Sequence, residues 1–532
     1  MLFLNGEAGK VIDSMFFRVM TAPLPPVATN CAFLFSDTWD DWFKFQTVFS
    51  LFIFDENGQK HSVGSVKISR MGLEGGSTIT PGRRRPEMPE HFDTLPPGYF
   101  SLGQGEDYYE TLNLMSETLR LRVLQGLRDC AFDQAIFEEA RDEPSMVHSL
   151  LRGTPESSVT GRLRRLSRGD AELTPFRFAY TLPPSGPDFY PPTIDFDVIP
   201  ESQPPTNVHV LIGRNGVGKS RAMRGLMQAL LGRPDEVGRP GGRVRFTEMK
   251  QVGTDLAANA DFPRIVLVSF SAFDDFPILA EPSDRIGVEH VGLHVADPAD
   301  GRAPQRMKSP ADLAKDFSQS LARCRGGLRR ARWLEAVTTL ETDDLFAQAE
   351  VRSLLEGEGD AWENEAQRRF RLLSSGHAIV LLTITRLVEL VDERTLVLID
   401  EPEGHLHPPL LSAFIRSLSR LLVSRNGLAV VATHSPVVLQ EVPRSCVWKL
   451  RRTGYRSEAE RPLVETFGEN VGILTREVFG LEVTRTGFHG LLAAAVLEER
   501  LDYEGVLARF DGQLGAEARA IVRSLVIQRD AI

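Results

Sequence analysis

At 532 residues the chain is longer than one hydrophobic core usually serves, so two or three folded units are expected. Its 42% hydrophobic and 25% charged residues give the balance of a globular protein and exclude a disordered or fibrous one. A formal net charge of -11 excludes an electrostatic search along DNA or RNA by the whole surface, leaving only local contacts.

In chain order, the start Met1 to Lys10 has no basic region followed by an apolar one, and apolar stretches such as Ile379 to Leu382 are soon interrupted by Arg386 and Glu389. A spanning helix needs about 20 apolar residues, so neither an export signal nor a membrane span is expected. Cys31, Cys130, Cys324 and Cys446 stand far apart with no CxxC pair, which argues against a disulfide framework or a zinc site and fits a reducing cytoplasm.

Phe45, Thr47, Phe49, Leu51 and Ile53 alternate at the strand period, Asp55-Glu56-Asn57-Gly58 supplies a turn, and Val63 to Ile68 completes a predicted hairpin. A loop with Arg83, Arg84 and Arg85 follows. Tyr108 to Leu127 then reads as one helix behind the acidic pair Glu106 and Asp107. Eight prolines between Thr181 and Pro205 predict a domain boundary, because proline continues neither a helix nor a central strand. The expected units are residues 1–185, an α+β domain for recognition or partner docking; 186–480, the domain with the chemistry; and 481–532, a helical extension.

Asn207 to Ile212 is an apolar strand running into Gly213-Arg214-Asn215-Gly216-Val217-Gly218-Lys219-Ser220, which fits the G-x4-G-K-[ST] phosphate loop at every fixed position. Glycines let successive N–H groups turn toward phosphates, and the following helix, Ser220 to Leu231, presents its positive end to them. The expected ligands are ATP and Mg2+, with Lys219 on the β- and γ-phosphates and the Ser220 hydroxyl on the metal. Ile278 to Arg371 reads as mostly helical, part of a lobe over roughly 276–392. It carries a basic cluster of Arg323, Arg325, Arg329, Arg330 and Arg332, readable as a solvated face or as a local contact for DNA, RNA or an acidic partner, as is the loop at Arg83. Leu396 to Ile399 is a buried-strand pattern ending in Asp400-Glu401, with Asp400 expected on Mg2+ and Glu401 as the general base that activates water.

Leu373-Ser374-Ser375-Gly376-His377, at the start of a predicted helix just before that strand, resembles the LSGGQ signature of ABC ATPases. Thr433-His434-Ser435-Pro436, after the strand Leu428 to Ala432, is similar to the switch-histidine segment of the same class. Glu401-Pro402-Glu403-Gly404-His405-Leu406-His407-Pro408 resembles the E-P-E-x-H-L-H-P run of the RecF, SMC-like and OLD-type branch of that class. This resemblance, over roughly residues 190–480, implies an α/β ABC-type P-loop head with a helical signature lobe, while the α+β domain before it and the short helical tail after it are read from the residues alone. It implies a homodimer glued by ATP, in which Leu373 to His377 of one chain close on the nucleotide of the other and His434 reaches the γ-phosphate. His405 and His407 are expected to shape the dimer seam rather than to bind metal.

Two positions depart from the family pattern. His377 replaces the usual glutamine, and Ser271 or Asp274 stands where a Q-loop glutamine belongs. Compact ATPases similar in these motifs serve bacterial antiviral defence systems such as Septu, which implies a sensor or regulator with a separate effector, such as a nuclease. A RecF-like repair ATPase is the alternative, and a transporter subunit a more distant one.

Overall fold

The computed structural model describes residues 16–20, 23–36, 45–75, 84–169, 173–184, 190–233, 242–247, 262–270, 286–294, 307–357, 359–454, 456–479 and 487–530. Arg83, Ser271 and Asp274 lie outside the described residues.

The strands are β1 (Phe17–Met20), β2 (Cys31–Ser36), β3 (Val48–Phe54), β4 (Lys60–Arg70), β5 (His91–Phe92) and β6 (Tyr99–Gly103), forming one sheet in the order β5-β1-β2-β3-β4-β6. The β3–β4 pair is the predicted hairpin. Asp55 Oδ1 accepts from the N–H groups of Asn57 and Gln59 at 2.9 and 2.8 Å, and Gly58 takes φ 78°, which an L side chain resists. Alternation buries Phe49, Leu51 and Ile53 against Tyr109, Leu112 and Val123 of the following helices. The single helix expected over 108–127 is two, Glu106–Asn113 and Glu117–Gly126, because Ser116 caps the second by accepting from the Leu119 N–H.

The expected boundary at 185 falls inside a sheet. β7 (Phe176–Thr181) pairs antiparallel with β8 (Thr193–Val198) and with β10 (Arg243–Thr247), and Phe178 stacks on Phe196 at 4.7 Å. These strands share a core with Leu211 and Leu226 of the next layer. Pro183, Pro184, Pro191 and Pro192 lie between β7 and β8, and Pro200, Pro204 and Pro205 follow β8, where they need only stay out of the ladder, so composition alone reads the same as a linker.

The third sheet is built from β9 (Val208–Ile212), β11 (Arg264–Ser269), β12 (Gly287–Gly292), β13 (Leu396–Asp400), β14 (Leu428–Thr433), β15 (Val447–Thr453) and β16 (Arg456–Glu460). Its order is β12-β11-β13-β14-β9-β15-β16, parallel throughout except for the β15–β16 edge. Parallel strands covered on both faces become continuous apolar runs. Val397, Ile399 and Val431 pack toward Phe317 and Trp333 of the helical lobe, whereas Leu398 and Val430 pack toward Met223 and Leu226 of the helix Lys219–Leu231. β12 lies within the stretch expected to be mostly helical, which otherwise folds into the helices Pro310–Cys324, Gly327–Leu340 and Gly359–Leu372. The last described helices bury Leu492, Val496, Val506 and Val522 in a small core of their own.

Arg329 and Arg332 of the cluster around Arg323 turn inward, whereas Arg323 and Arg330 pair with acids nearer the surface. Arg329 Nε lies 2.9 Å from Asp107, Arg332 also pairs with Asp107, Arg330 with Glu356 at 2.8 Å, and Arg323 with Glu389. Arg325 stacks over Trp362 at 4.1 Å. Arg425, only 2% exposed, joins Glu106 at 3.1 Å and also Asp107 and Glu110, while the Glu393 N–H donates to Glu106 at 2.6 Å. A charge run in sequence thus becomes a joint between the first sheet's helices and the roots of β13 and β14.

Candidate nucleotide site

The Gly213–Ser220 loop leaves the C-terminal end of β9 and enters the helix Lys219–Leu231. Gly216 and Gly218 take φ 80° and 100°, and a Cβ on Gly213 would come within 2.5 Å of the Leu450 carbonyl oxygen. The loop therefore needs its glycines both for left-handed turns and for close backbone approach. Asn215 is exposed and Val217 packs on the core beneath, while the Arg214 guanidinium donates to the Phe479 carbonyl at 3.4 Å. Gly232, with φ 66°, ends the helix as the sequence suggests.

Lys219 is 4% exposed and curls over its own loop, donating to the carbonyls of Gly213 at 3.0 Å and Arg214 at 3.2 Å. Burial pushes its ammonium below the ordinary lysine value, while Glu401, Asp400 and Glu403 pull it back up. Nζ stands 3.9 Å from Glu401 Oε1.

β14 lies between β9 and β13, so the Asp400 strand is not the immediate neighbour of the phosphate-loop strand. Asp400, 5% exposed, sits beside Ala432 on β14 and Ser269 on β11. Glu401 then turns into the left-handed region at φ 45°, with its N–H still on the Ala432 carbonyl at 2.8 Å, and its carboxylate swings out to 43% exposure. Such a non-glycine turn costs about 1–3 kcal/mol and persists only where its surroundings hold it. His434, at the end of β14, places Nδ1 3.8 Å from Glu401 and 3.0 Å from Glu403.

Glu403 is a residue whose part the sequence motif did not spell out. Its Oε1 accepts from the Thr433 hydroxyl at 2.6 Å and the His434 N–H at 2.7 Å, fastening the switch loop to the turn after β13. The available signal was the second acid of the Glu-Pro-Glu run, which no helix or strand period requires.

Leu373 to His377 gather elsewhere. Leu373 packs on the core, and Ser374 caps the helix Ser375–Leu390, accepting from the His377 N–H at 3.3 Å. Ser375 is exposed. A Cβ on Gly376 would lie 2.6 Å from the His405 carbonyl oxygen, so the helix start rests directly on the loop after β13. His377 is buried and His407 half-exposed, and both reach Asp343.

The glycine cradle, the N-terminus of a 13-residue helix and the buried ammonium fit a polyphosphate. Ser220 and Asp400 supply the oxygen donors a hard divalent cation takes.

Residues 358–440, which hold the signature segment, Asp400, Glu401 and His434, match the family model "AAA domain, putative AbiEii toxin, Type IV TA system". Over 529 residues the chain is 40% identical to protein ea59 of Escherichia phage lambda, covering 95% of this chain and 97% of the phage protein. The chain belongs to the ea59 family. The AAA-domain match over residues 358–440, taken with the Gly213–Ser220 phosphate loop, makes this ea59-family chain an ATP-binding P-loop ATPase of the AAA type. Two solved structures are similar at 15% identity: "An inward-facing conformation of a putative metal-chelate type ABC transporter", with TM-score 0.27 and coverage of 54% of this chain and 84% of the other, and the ADP conformation of an ATP-binding cassette of an ABC transporter, with TM-score 0.25 and coverage of 51% and 85%. TM-scores that low establish no shared fold. Among the described residues, no helix is long and apolar enough to cross a membrane.

Proposed function

We propose that this chain hydrolyses ATP in an ATP-clamped pair of identical subunits and uses that cycle, in the cytoplasm, to sense or regulate a separate effector, a nuclease, in antiviral defence. The observation that carries the ATPase part is the convergence of Lys219, Glu401 and His434 at one end of β9, β13 and β14. Gly213 to Ser220 grip the phosphates, and Ser220 with Asp400 hold Mg2+, which when bound neutralises charge on the β- and γ-oxygens. Glu401 stands exposed where a water molecule can reach it and takes the proton as that water attacks. His434, steadied by Glu403, addresses the γ-phosphate from the side, and Leu373 to His377 of the second subunit complete the site. Placing part of the site on another chain makes pairing a condition of turnover.

Two findings support the defence role: a full-length relative carried by a phage, and a matching family model named for a toxin. Glu401→Gln removes the base yet keeps the shape of the side chain, so ATP with Mg2+ should trap the pair while turnover falls by about 100-fold or more. Light scattering reads this directly, and a monomer at saturating ATP sinks the clamped pair. In cells challenged with phage, the same variant should lose protection and still co-purify with the effector. Equal plaque counts for variant and parent would sink the defence role and leave the ATPase standing.

A further inference from the structure

The loop between the helices Gly327–Leu340 and Asp344–Ala347 brings Asp343 to the start of the signature helix. Its two oxygens face two histidines from different segments: Oδ1 lies 3.3 Å from His377 Nε2, and Oδ2 lies 3.0 Å from His407 Nε2. The Phe346 N–H adds a third bond to Oδ1 at 2.9 Å. Burial pushes the Asp343 carboxyl up, but the Phe346 N–H, the positive charge of His377 when that ring is protonated and the His407 hydrogen bond outweigh it and hold it below the usual carboxylate range.

A carboxylate accepts and does not donate, so each histidine must aim an N–H at it. For neutral His377 this fixes the tautomer: with Nε2 donating, Nδ1 is the acceptor, and the Ser374 hydroxyl stands 2.9 Å from it. One carboxylate therefore sets the ring and the serine together. The close approach of Gly376 to the His405 carbonyl ties the same two segments a second time, through the backbone.

We propose that Asp343 is a positioning residue for the nucleotide site that the second subunit completes, locking Ser374 and the loop 402–407 into one preformed surface. This inference rests on the clamped pair described under Proposed function. Ser374 is exposed and His407 half-exposed, so without the tie both would be ordered only on pairing, and that ordering would oppose association.

Asp343→Asn should leave nucleotide affinity at its own phosphate loop within about twofold while kcat falls by about tenfold or more with little change in KM. Mixing gives the decisive reading. Asp343→Asn has an intact phosphate loop and a loosened signature surface, whereas Lys219→Ala has the reverse, so a hybrid pair holds one site free of both defects. Each variant alone should be slow, and turnover should reappear on mixing. Ser374→Arg mixed with Lys219→Ala is the control for completion by the second subunit. If the control recovers and the Asp343→Asn mixture does not, or if Asp343→Asn alone turns over like the parent, the positioning role falls and the clamped pair stands. If the control also fails, the clamped pair falls and takes this role with it. Should Asp343→Asn melt early, His377→Gln cuts only the signature arm of the tie and enters the same mixing test with the same outcomes.

Discussion

β13 and β14 carry charged groups at both ends, and the two ends treat them differently. At the roots, Glu393 and Arg425 are buried among Glu106, Asp107, Arg162 and Arg165, and the acids and bases lie in contact with one another. At the tips, Glu401 and His434 stand 43% and 45% exposed, and Glu401 keeps 3.9 Å from the buried Lys219. Charge density is similar in sequence. What distinguishes the tips is that Glu401 and His434 converge with Lys219 while their side chains stay half-exposed, on a backbone turn that costs energy to hold.

The contrast is broken or sharpened first by Lys219→Ala. Loss of the buried ammonium should abolish measurable ATP binding in a titration with labelled nucleotide and reduce turnover by about 1,000-fold or more, with the melting temperature within a few degrees of the parent. A large loss of stability instead would make Lys219 a structural residue like those at the roots.

Arg425→Ala should show the opposite signature. Removing the guanidinium shared by Glu106, Asp107 and Glu110 leaves them only Arg162, Arg329 and Arg332, at a cost of about 3–5 kcal/mol, read as a lower denaturant midpoint. Burial pushes the Asp107 carboxyl up, but Arg425, Arg329 and Arg332 outweigh it and hold it well below the ordinary carboxylate range. A depressed folded value gives stability that is present above the ordinary carboxylate pKa and lost as the pH falls below about 4. In Arg425→Ala that acid-side loss should shrink, and an unchanged pH profile would contradict the pairing.

The smallest effect belongs to Arg330→Ala. Its partner Glu356 is well exposed, and pairs of this kind contribute about 0–1 kcal/mol. A larger loss, or a weakened response to added nucleic acid, would restore the reading of this cluster as a working surface.

The phosphate loop was legible residue by residue, because its glycines answer to local dihedral angles and its lysine and serine to fixed positions along one turn. Asp400 and Glu401 were legible for the same reason, as the end of an apolar run. The β3–β4 hairpin followed from alternation and turn chemistry. Glu403 and Asp343 were not readable as anchors, since their partners Thr433, His377 and His407 come from other segments.

The sequence by itself determined the class of chemistry, the strands that carry it and the glycines the loop requires, because each depends on neighbours within a few residues. Only the tertiary structure decided that the first part of the proline-rich stretch joins two strands of one sheet, that β14 separates β9 from β13, and that Arg329 and Arg332 turn inward to Asp107, more than two hundred residues away. Burial and ion pairing are properties of three-dimensional neighbours, and a charge reads the same in sequence whether it meets water, a partner or a phosphate.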